Sequence, residues 1–208
     1  MSRLPDHYFD RIYAAAEDPW QLSTRWYEQR KYAITTAMLP NRQYRHAFEP
    51  GCSIGTLTQR LVERCDHVTA IDVAEGALQV ADERLRRLNC RHQVTLAQAS
   101  LDQPWPQGAF DLVVLSEVAY YFNAGLLSAV LNRECARLMP GTTVVAAHWR
   151  HEVIDYPLTG DIATDIIAST HGLKSIGRYC DRDVVIEVFD TGVGASVAMR
   201  EGLPGVVR

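Results

Sequence analysis

Residues 49–55 read Glu-Pro-Gly-Cys-Ser-Ile-Gly, and two chemistries compete for them. Taken literally, Gly51-Cys52-Ser53-Ile54-Gly55 is G-x-S-x-G, the turn that presents a nucleophilic serine. The same small residues between a strand and a helix form a loop that lets a backbone approach a nucleotide-like ligand. The serine reading needs an Asp and then a His further along; Asp111 and His148 satisfy that order, as would many chance pairs. It also borrows an oxyanion N–H from an earlier loop, and only a helical stretch without a His-Gly pair precedes Ser53. The ligand-loop reading needs an acidic residue about 20 positions on, where one carboxylate accepts both hydroxyls of a ribose. Asp72 stands 17 residues past Gly55, at the end of an apolar run. Glu49 suits a cationic ligand group and would repel a pyrophosphate.

These residues need a frame that brings them together. Helical patterns cover 7–18 and 25–39; in the second, Trp26, Arg30, Ala33 and Ala37 fall near one face. A short strand at 45–50 leads through the glycine loop to a helix over 54–65, with Leu57, Leu61 and Val62 as its stripe. Strands at 67–73, 92–99, 110–117 and 142–149 alternate with helices at 75–88, 125–139 and 160–172. Ala77, Leu78, Ala81, Leu85 and Leu88 face inward on the first of these helices, and Asp161 is the plausible cap of the last. The runs 173–180 and 183–190 have hairpin spacing, although Asp181-Arg182 is not preferred turn chemistry. The alternation predicts an α/β fold, a doubly wound and mostly parallel seven-stranded sheet closed by an antiparallel edge hairpin. Three regions follow: an N-terminal helical lid (1–44), a ligand-binding domain (45–190) and a glycine-rich tail (191–208). Ligands of such sheets bind beyond the carboxyl ends of the strands, which gathers Glu49–Gly55, Asp72, Ala99–Leu101, Ser116–Tyr121 and His148 into one crevice.

Composition narrows the function classes. The chain of 208 residues is 47% apolar and 22% charged, ordinary for a single globular domain. A net charge of -4 argues against a dedicated nucleic-acid binder. Five scattered cysteines show no metal-ligand spacing, so free thiols and no metal site are expected. A start charged from its third residue and the lack of a long apolar run imply no signal peptide and no membrane insertion, hence a cytoplasmic protein.

The motif Glu49-Pro50-Gly51-Cys52-Ser53-Ile54-Gly55 matches the E-x-G-x-x-x-G of class I methyltransferases that use S-adenosylmethionine, and the chain resembles them over roughly residues 45–190. Asp72 in "AIDV", the stretch "AQASLDQPWPQGAFDLVVLSEVAYYF" and "LMPGTTVVAA" carry the rest of the likeness. The resemblance implies a Rossmann-like sheet and S-adenosyl-L-methionine as cofactor, with S-adenosyl-L-homocysteine as product. It implies Gly51 and Gly55 at the amino-acid end of the cofactor, with Cys52 and Ser53 as small neighbours and Glu49 before them. Asp72 is implied on the ribose, Val73 beside the adenine, and Ala99, Ser100 and Leu101 in the adenine loop. Ser100 stands where many relatives have an Asp that accepts from the adenine amine.

A narrower likeness is carried by "EDPWQLSTRWYEQRKY", "GCSIGTLTQRL" and "SEVAYYF", which look like the NodS group of nodulation N-methyltransferases. That group implies N-methylation of the free amine of an amino sugar or deacetylated chitooligosaccharide; small-molecule O-methylation is the alternative, and a hydrolase using Ser53 a distant one. A protonated amine cannot attack, so the site needs a base or surroundings that favour the free amine. Glu117, after the fourth strand, is the first candidate, as base or as the group that orients the acceptor; capping the next helix or touching the cofactor is its plain alternative. His148 is the second, against a satisfied strand-end histidine. Tyr120 and Tyr121 wall the acceptor or are packing aromatics. Ser116, Glu117, Val118 and Tyr121 also fall on the cofactor side. A lid reading sets Trp20 and Tyr27 over the cofactor with Lys31 reaching it; Glu28, Arg30 and Lys31 would otherwise form a solvated face.

Overall fold

The computed structural model describes residues 2–205; Met1 of the lid and residues 206–208 of the tail lie outside the described residues. Seven strands form one sheet: β1 (Tyr44–Pro50), β2 (Cys65–Asp72), β3 (Val94–Gln98), β4 (Leu112–Ser116), β5 (Thr143–Trp149), β6 (Lys174–Cys180) and β7 (Val184–Asp190). Their order is β3-β2-β1-β4-β5-β7-β6. The pairs among β1 to β5 are parallel, and β7 runs antiparallel to both β5 and β6. The chain steps from β1 outward to β3, then crosses to β4 on the other side of β1, so the switch point lies between β1 and β4.

The expected hairpin is present, and burial explains how it docks. β7 reads Val-Val-Ile-Glu-Val-Phe-Asp and is buried throughout, so it takes the inner place beside β5. The polar, half-exposed β6 becomes the edge. Its turn is closed by a side chain rather than by the Asp-Arg pair itself: Asp181 Oδ1 accepts the N–H groups of Asp183 and Val184, each at 2.9 Å.

The helices are α1 (Asp6–Ala15), α2 (Trp26–Ala37), α3 (Thr58–Leu61), α4 (Glu75–Arg87), α5 (Ala124–Cys135), α6 (Gly160–Ala168) and α7 (Val197–Arg200). Three expectations are corrected. The helix expected over 54–65 is one turn, because Gly51, Ser53 and Gly55 hold φ of 74°, 51° and 73° and keep the preceding chain in a non-helical loop. Leu88 is the exposed C-cap of α4 rather than an inward residue. The α6 cap is Thr159, whose hydroxyl accepts the Ile162 N–H at 3.3 Å, while Asp161 pairs with Arg150. The tail carries α7, tied down where Arg200 donates to Asp190 Oδ2 (2.7 Å) and Asn41 Oδ1 (2.8 Å).

The core divides into three clusters. One lies on the α5–α6 face of the sheet, around Phe48, Leu115, Leu127 and Phe189. A second lies on the α2–α3–α4 face, around Leu61, Val68, Leu85 and Ile186. The third is small: Leu4 and Phe9 of the N-terminal segment pack on Ala74 and Ala77, with Tyr8, Tyr13, Trp20 and Tyr121 partly buried around them.

Candidate active site

A cavity of about 440 Å³ opens at the carboxyl ends of β1, β2 and β4 and beneath the N-terminal segment. That is within the size of small-molecule sites. Its lining contains Trp20, Tyr27, Lys31, Glu49, Gly51, Cys52, Ser53, Asp72, Val73, Ala99, Ser100, Leu101, Ser116, Glu117, Val118, Tyr120 and Tyr121, all singled out from sequence. Gly55 and His148 are not in the lining.

The glycine loop follows β1 directly. At Gly51, φ of 74° favours glycine, and a Cβ there would press on Val118 at 3.0 Å. Gly55 serves the frame instead: its Cβ would meet that of Ala81 on α4 at 3.1 Å, so its small size seats the helix on the loop. Ser53 donates its N–H to Asp72 Oδ2 at 2.8 Å, and its hydroxyl bonds that of Tyr13. No histidine bonds Ser53 Oγ among the described residues, so the serine has no base for hydrolysis.

Glu49 and Asp72 end adjacent strands. Burial pushes the Glu49 carboxyl up, the Thr58 hydroxyl, which donates to Oε2 at 2.6 Å, draws it down, and the nearby Asp72 raises it, for a balance of about 8. No Lys or Arg pairs with it among the described residues. Asp72 is also raised by burial, opposed by N–H donations from Ala74 (3.0 Å) and Ser53. A carboxylate offers about four lone-pair sites, so Asp72 can still accept from ligand hydroxyls. A ligand with one cationic end and a diol fits this pair, and S-adenosylmethionine carries both.

The other end of the cavity holds a buried charge cluster. Lys31, 1% exposed, lies 2.7 Å from Glu28 and 2.6 Å from Glu117, with the Tyr27 and Tyr32 rings 5.3 and 5.1 Å away. Glu117 Oε2 accepts the Tyr120 hydroxyl (2.6 Å) and the Trp149 N–H (2.8 Å). Burial pushes the Glu117 carboxyl up, but the Lys31 ammonium and these donors override it and hold the group below the usual carboxylate range. Its φ of 53° is unusual for glutamate and recurs in strained functional positions. The cluster explains α2, whose inward residues are Glu28, Lys31, Tyr32 and Thr35 while Trp26 is 73% exposed. The solvated-face reading therefore fails for Glu28 and Lys31; Arg30, half-buried, reaches Asp181 instead at 2.7 Å.

His148 is fully buried behind Tyr120, their rings 5.5 Å apart. Thr164 donates its hydroxyl to the Gly160 carbonyl, so it accepts from His148 Nδ1 at 3.1 Å, leaving Nε2 without a hydrogen-bond partner among the described residues. Burial lowers the imidazole to about 4. The ring is therefore neutral and lies outside the cavity lining. Tyr120 stacks on Tyr156 at 5.0 Å, and Trp149 packs on Tyr27 at 5.0 Å. Tyr13, Trp149 and Tyr156 are lining residues that the motifs do not select, and Glu28, whose alternative was a solvated face, joins them. Trp149 and Tyr156 lie at or after the carboxyl end of β5, where the topology rule alone would have directed attention.

Comparison with known proteins agrees with this geometry. The profile of the family described as Nodulation protein S (NodS) matches residues 7–156. Nodulation protein S of Rhizobium tropici is 32% identical over 193 residues, 88% of this chain and 79% of the relative. That of Sinorhizobium fredii is 32% identical over 121 residues, 57% and 55% of the two chains. Among solved structures, N-methyltransferase NodS from Bradyrhizobium japonicum WM9 in complex with S-adenosyl-L-homocysteine superposes with a TM-score of 0.77 at 23% identity, over 88% of this chain and 96% of that one. A Burkholderia thailandensis 1,6-didemethyltoxoflavin-N1-methyltransferase superposes at 0.70 with 15% identity, over 90% and 87%. At such identities these two structures speak for the fold.

Proposed function

The chain belongs to the NodS family of S-adenosylmethionine-dependent methyltransferases, and from that premise we propose that it N-methylates the free amine of an amino sugar or deacetylated chitooligosaccharide. One observation carries the acceptor reading. Two carboxylates, Glu28 and Glu117, share a single ammonium, Lys31, at one end of the cavity. The surplus negative charge attracts a cationic amine. The aromatic side chains Tyr120, Tyr156 and Trp149 line the same cavity and give a sugar ring apolar walls.

When bound, S-adenosylmethionine supplies an electrophilic methyl group on a sulfonium. Asp72 accepts the ribose hydroxyls, Glu49 faces the cationic amino-acid end, and Gly51, Cys52 and Ser53 let the backbone come close. Val73, Ala99, Ser100 and Leu101 enclose the adenine, and Ser116, Val118 and Tyr121 complete that side. Residues 2–44 act as a lid, with Trp20 and Tyr27 over the cofactor and water excluded beneath. Lys31 ties that lid to Glu117, and Tyr120 walls the acceptor while its hydroxyl steadies the same carboxylate.

The test is transfer of a labelled methyl group to three acceptor classes: deacetylated chitooligosaccharides, simple alkylamines and phenols. Label is expected on the sugar amine at the highest kcat/KM. Label on phenols alone would replace this reading with O-methylation.

A further inference from the structure

We propose that Glu28 takes the proton from the acceptor ammonium, while Glu117 is a positioning residue that holds Lys31, Tyr120 and Trp149 in place. The inference rests on the amine reading above.

Both carboxylates line the cavity and both reach Lys31. Their surroundings differ. Glu117 is gripped from three elements: Lys31 of α2 on Oε1, and the Tyr120 hydroxyl and the Trp149 N–H of β5 on Oε2. Glu117 holds three donors at once, and releasing any of them to turn toward a ligand strands a buried donor. Glu28 sits on regular helix, and its close groups, Lys31 and Tyr32, belong to α2 itself. It can turn toward a ligand without dismantling β4 or β5.

The charged groups that face Glu28 are Lys31 from α2 and Glu117 after β4, and the titratable phenols of Tyr27 and Tyr32 stand beside it. Burial pushes the Glu28 carboxyl up, Lys31 offsets this in part, and Glu117 adds to it. Glu117 moves the opposite way. Two carboxylates on one ammonium with their affinities for protons driven apart is the pattern of an assigned acid–base pair. The phenols of Tyr27 and Tyr120 are pushed far up and stay protonated, and His148 lies outside the cavity.

A proton on the acceptor nitrogen moves to a Glu28 oxygen, and the N–H electron pair stays on nitrogen. That pair forms the N–C bond as the C–S pair returns to the cofactor sulfur. The N-methylammonium product leaves, and Glu28 returns its proton to solvent through the mouth.

The experiment uses the whole chain as wild type, Glu28→Gln and Glu28→Asp. It measures single-turnover methyl transfer to a deacetylated chitooligosaccharide from about pH 6 to about pH 10, spanning the ammonium titration. S-adenosylhomocysteine affinity by calorimetry reports the integrity of the site. With affinity kept, Glu28→Gln is expected to lose roughly 100-fold or more near pH 7. The deficit should shrink by about tenfold per pH unit as solution supplies the free amine, and Glu28→Asp should keep the wild-type profile at a reduced rate. A wild-type rate in Glu28→Gln, or a deficit equal at every pH, overturns the proposal. Should Glu28→Gln fail to bind the cofactor, Glu28→Asp decides: a retained profile supports proton transfer, and complete loss of rate overturns it. A wild type that methylates only hydroxyl acceptors overturns the amine reading, and is seen before any variant is compared.

Discussion

Glu49 carries the clearest conflict between folding and binding in this molecule. In an unfolded chain its carboxyl titrates near 4.5, and in the fold near 8. Between those values the folded state keeps a proton that the unfolded state has lost. Stability therefore falls as pH rises through that window, and the full penalty stands above about 8. A cationic ligand group placed beside Glu49 would reverse the penalty, so binding of such a group is expected to release a proton at neutral pH. Glu49→Gln keeps an acceptor for the Thr58 hydroxyl and removes the charge. The ligand-free variant should match wild type below about pH 4.5 and melt higher above pH 8, by about 2–4 °C for each kcal/mol recovered. It should also bind S-adenosylhomocysteine more weakly. Parallel melting curves across the pH range would remove Glu49 from this role.

At the scale of elements, the end of β5 and the start of α6 form one joint. Gly160 begins α6 against the last turn of strand: a Cβ there would lie 2.0 Å from the Trp149 carbonyl oxygen and 3.0 Å from His148 Cβ. Backbone cannot yield as a flexible side chain does, so Gly160→Ala should cost roughly 1–3 kcal/mol or more in urea unfolding. Because the Trp149 N–H also holds Glu117, the same variant should lose activity beyond its loss of stability. A variant with unchanged urea midpoint would show that α6 is free to slide. This joint was half legible in sequence: the strand 142–149 and the helix from 160 could be read from apolar runs and a glycine, but not their contact. Local pattern reports which residues prefer burial; it found β1, the loop, Asp72 and β4 because those depend on apolar strands and small residues. It misjudged α2, where a buried Glu–Lys–Glu cluster reverses the usual sense of a helix face. It placed His148 in the crevice because strand ends point there, whereas the side chain turns back onto Thr164.

The molecule as a whole is a sheet with two large cores and a small third cluster that spans the cavity. The N-terminal segment joins that third cluster through Leu4 and Phe9, and hydrogen bonds tie it to the rim of the cavity. Leu4 N–H donates to the Tyr121 carbonyl (2.9 Å), Arg3 Nε to Asp102 (3.2 Å), and Tyr13 bonds Ser53. A layer held by a small apolar cluster opens at lower free energy than strands buried on both faces. Each of those ties ends on or beside a cavity residue, so a ligand that orders Ser53 and Tyr121 orders the layer too. Hydrogen exchange on the intact chain is expected to show residues 4–24 exchanging well before β1, β2 and β4 in the ligand-free protein. Saturating S-adenosylhomocysteine should slow exchange in 4–24 and around Ser53, with little change in the β6–β7 hairpin, which touches none of the cavity. Protection that rises evenly over the sheet, with no excess in 4–24, would mean that the segment is a fixed wall and that the cofactor enters without its opening.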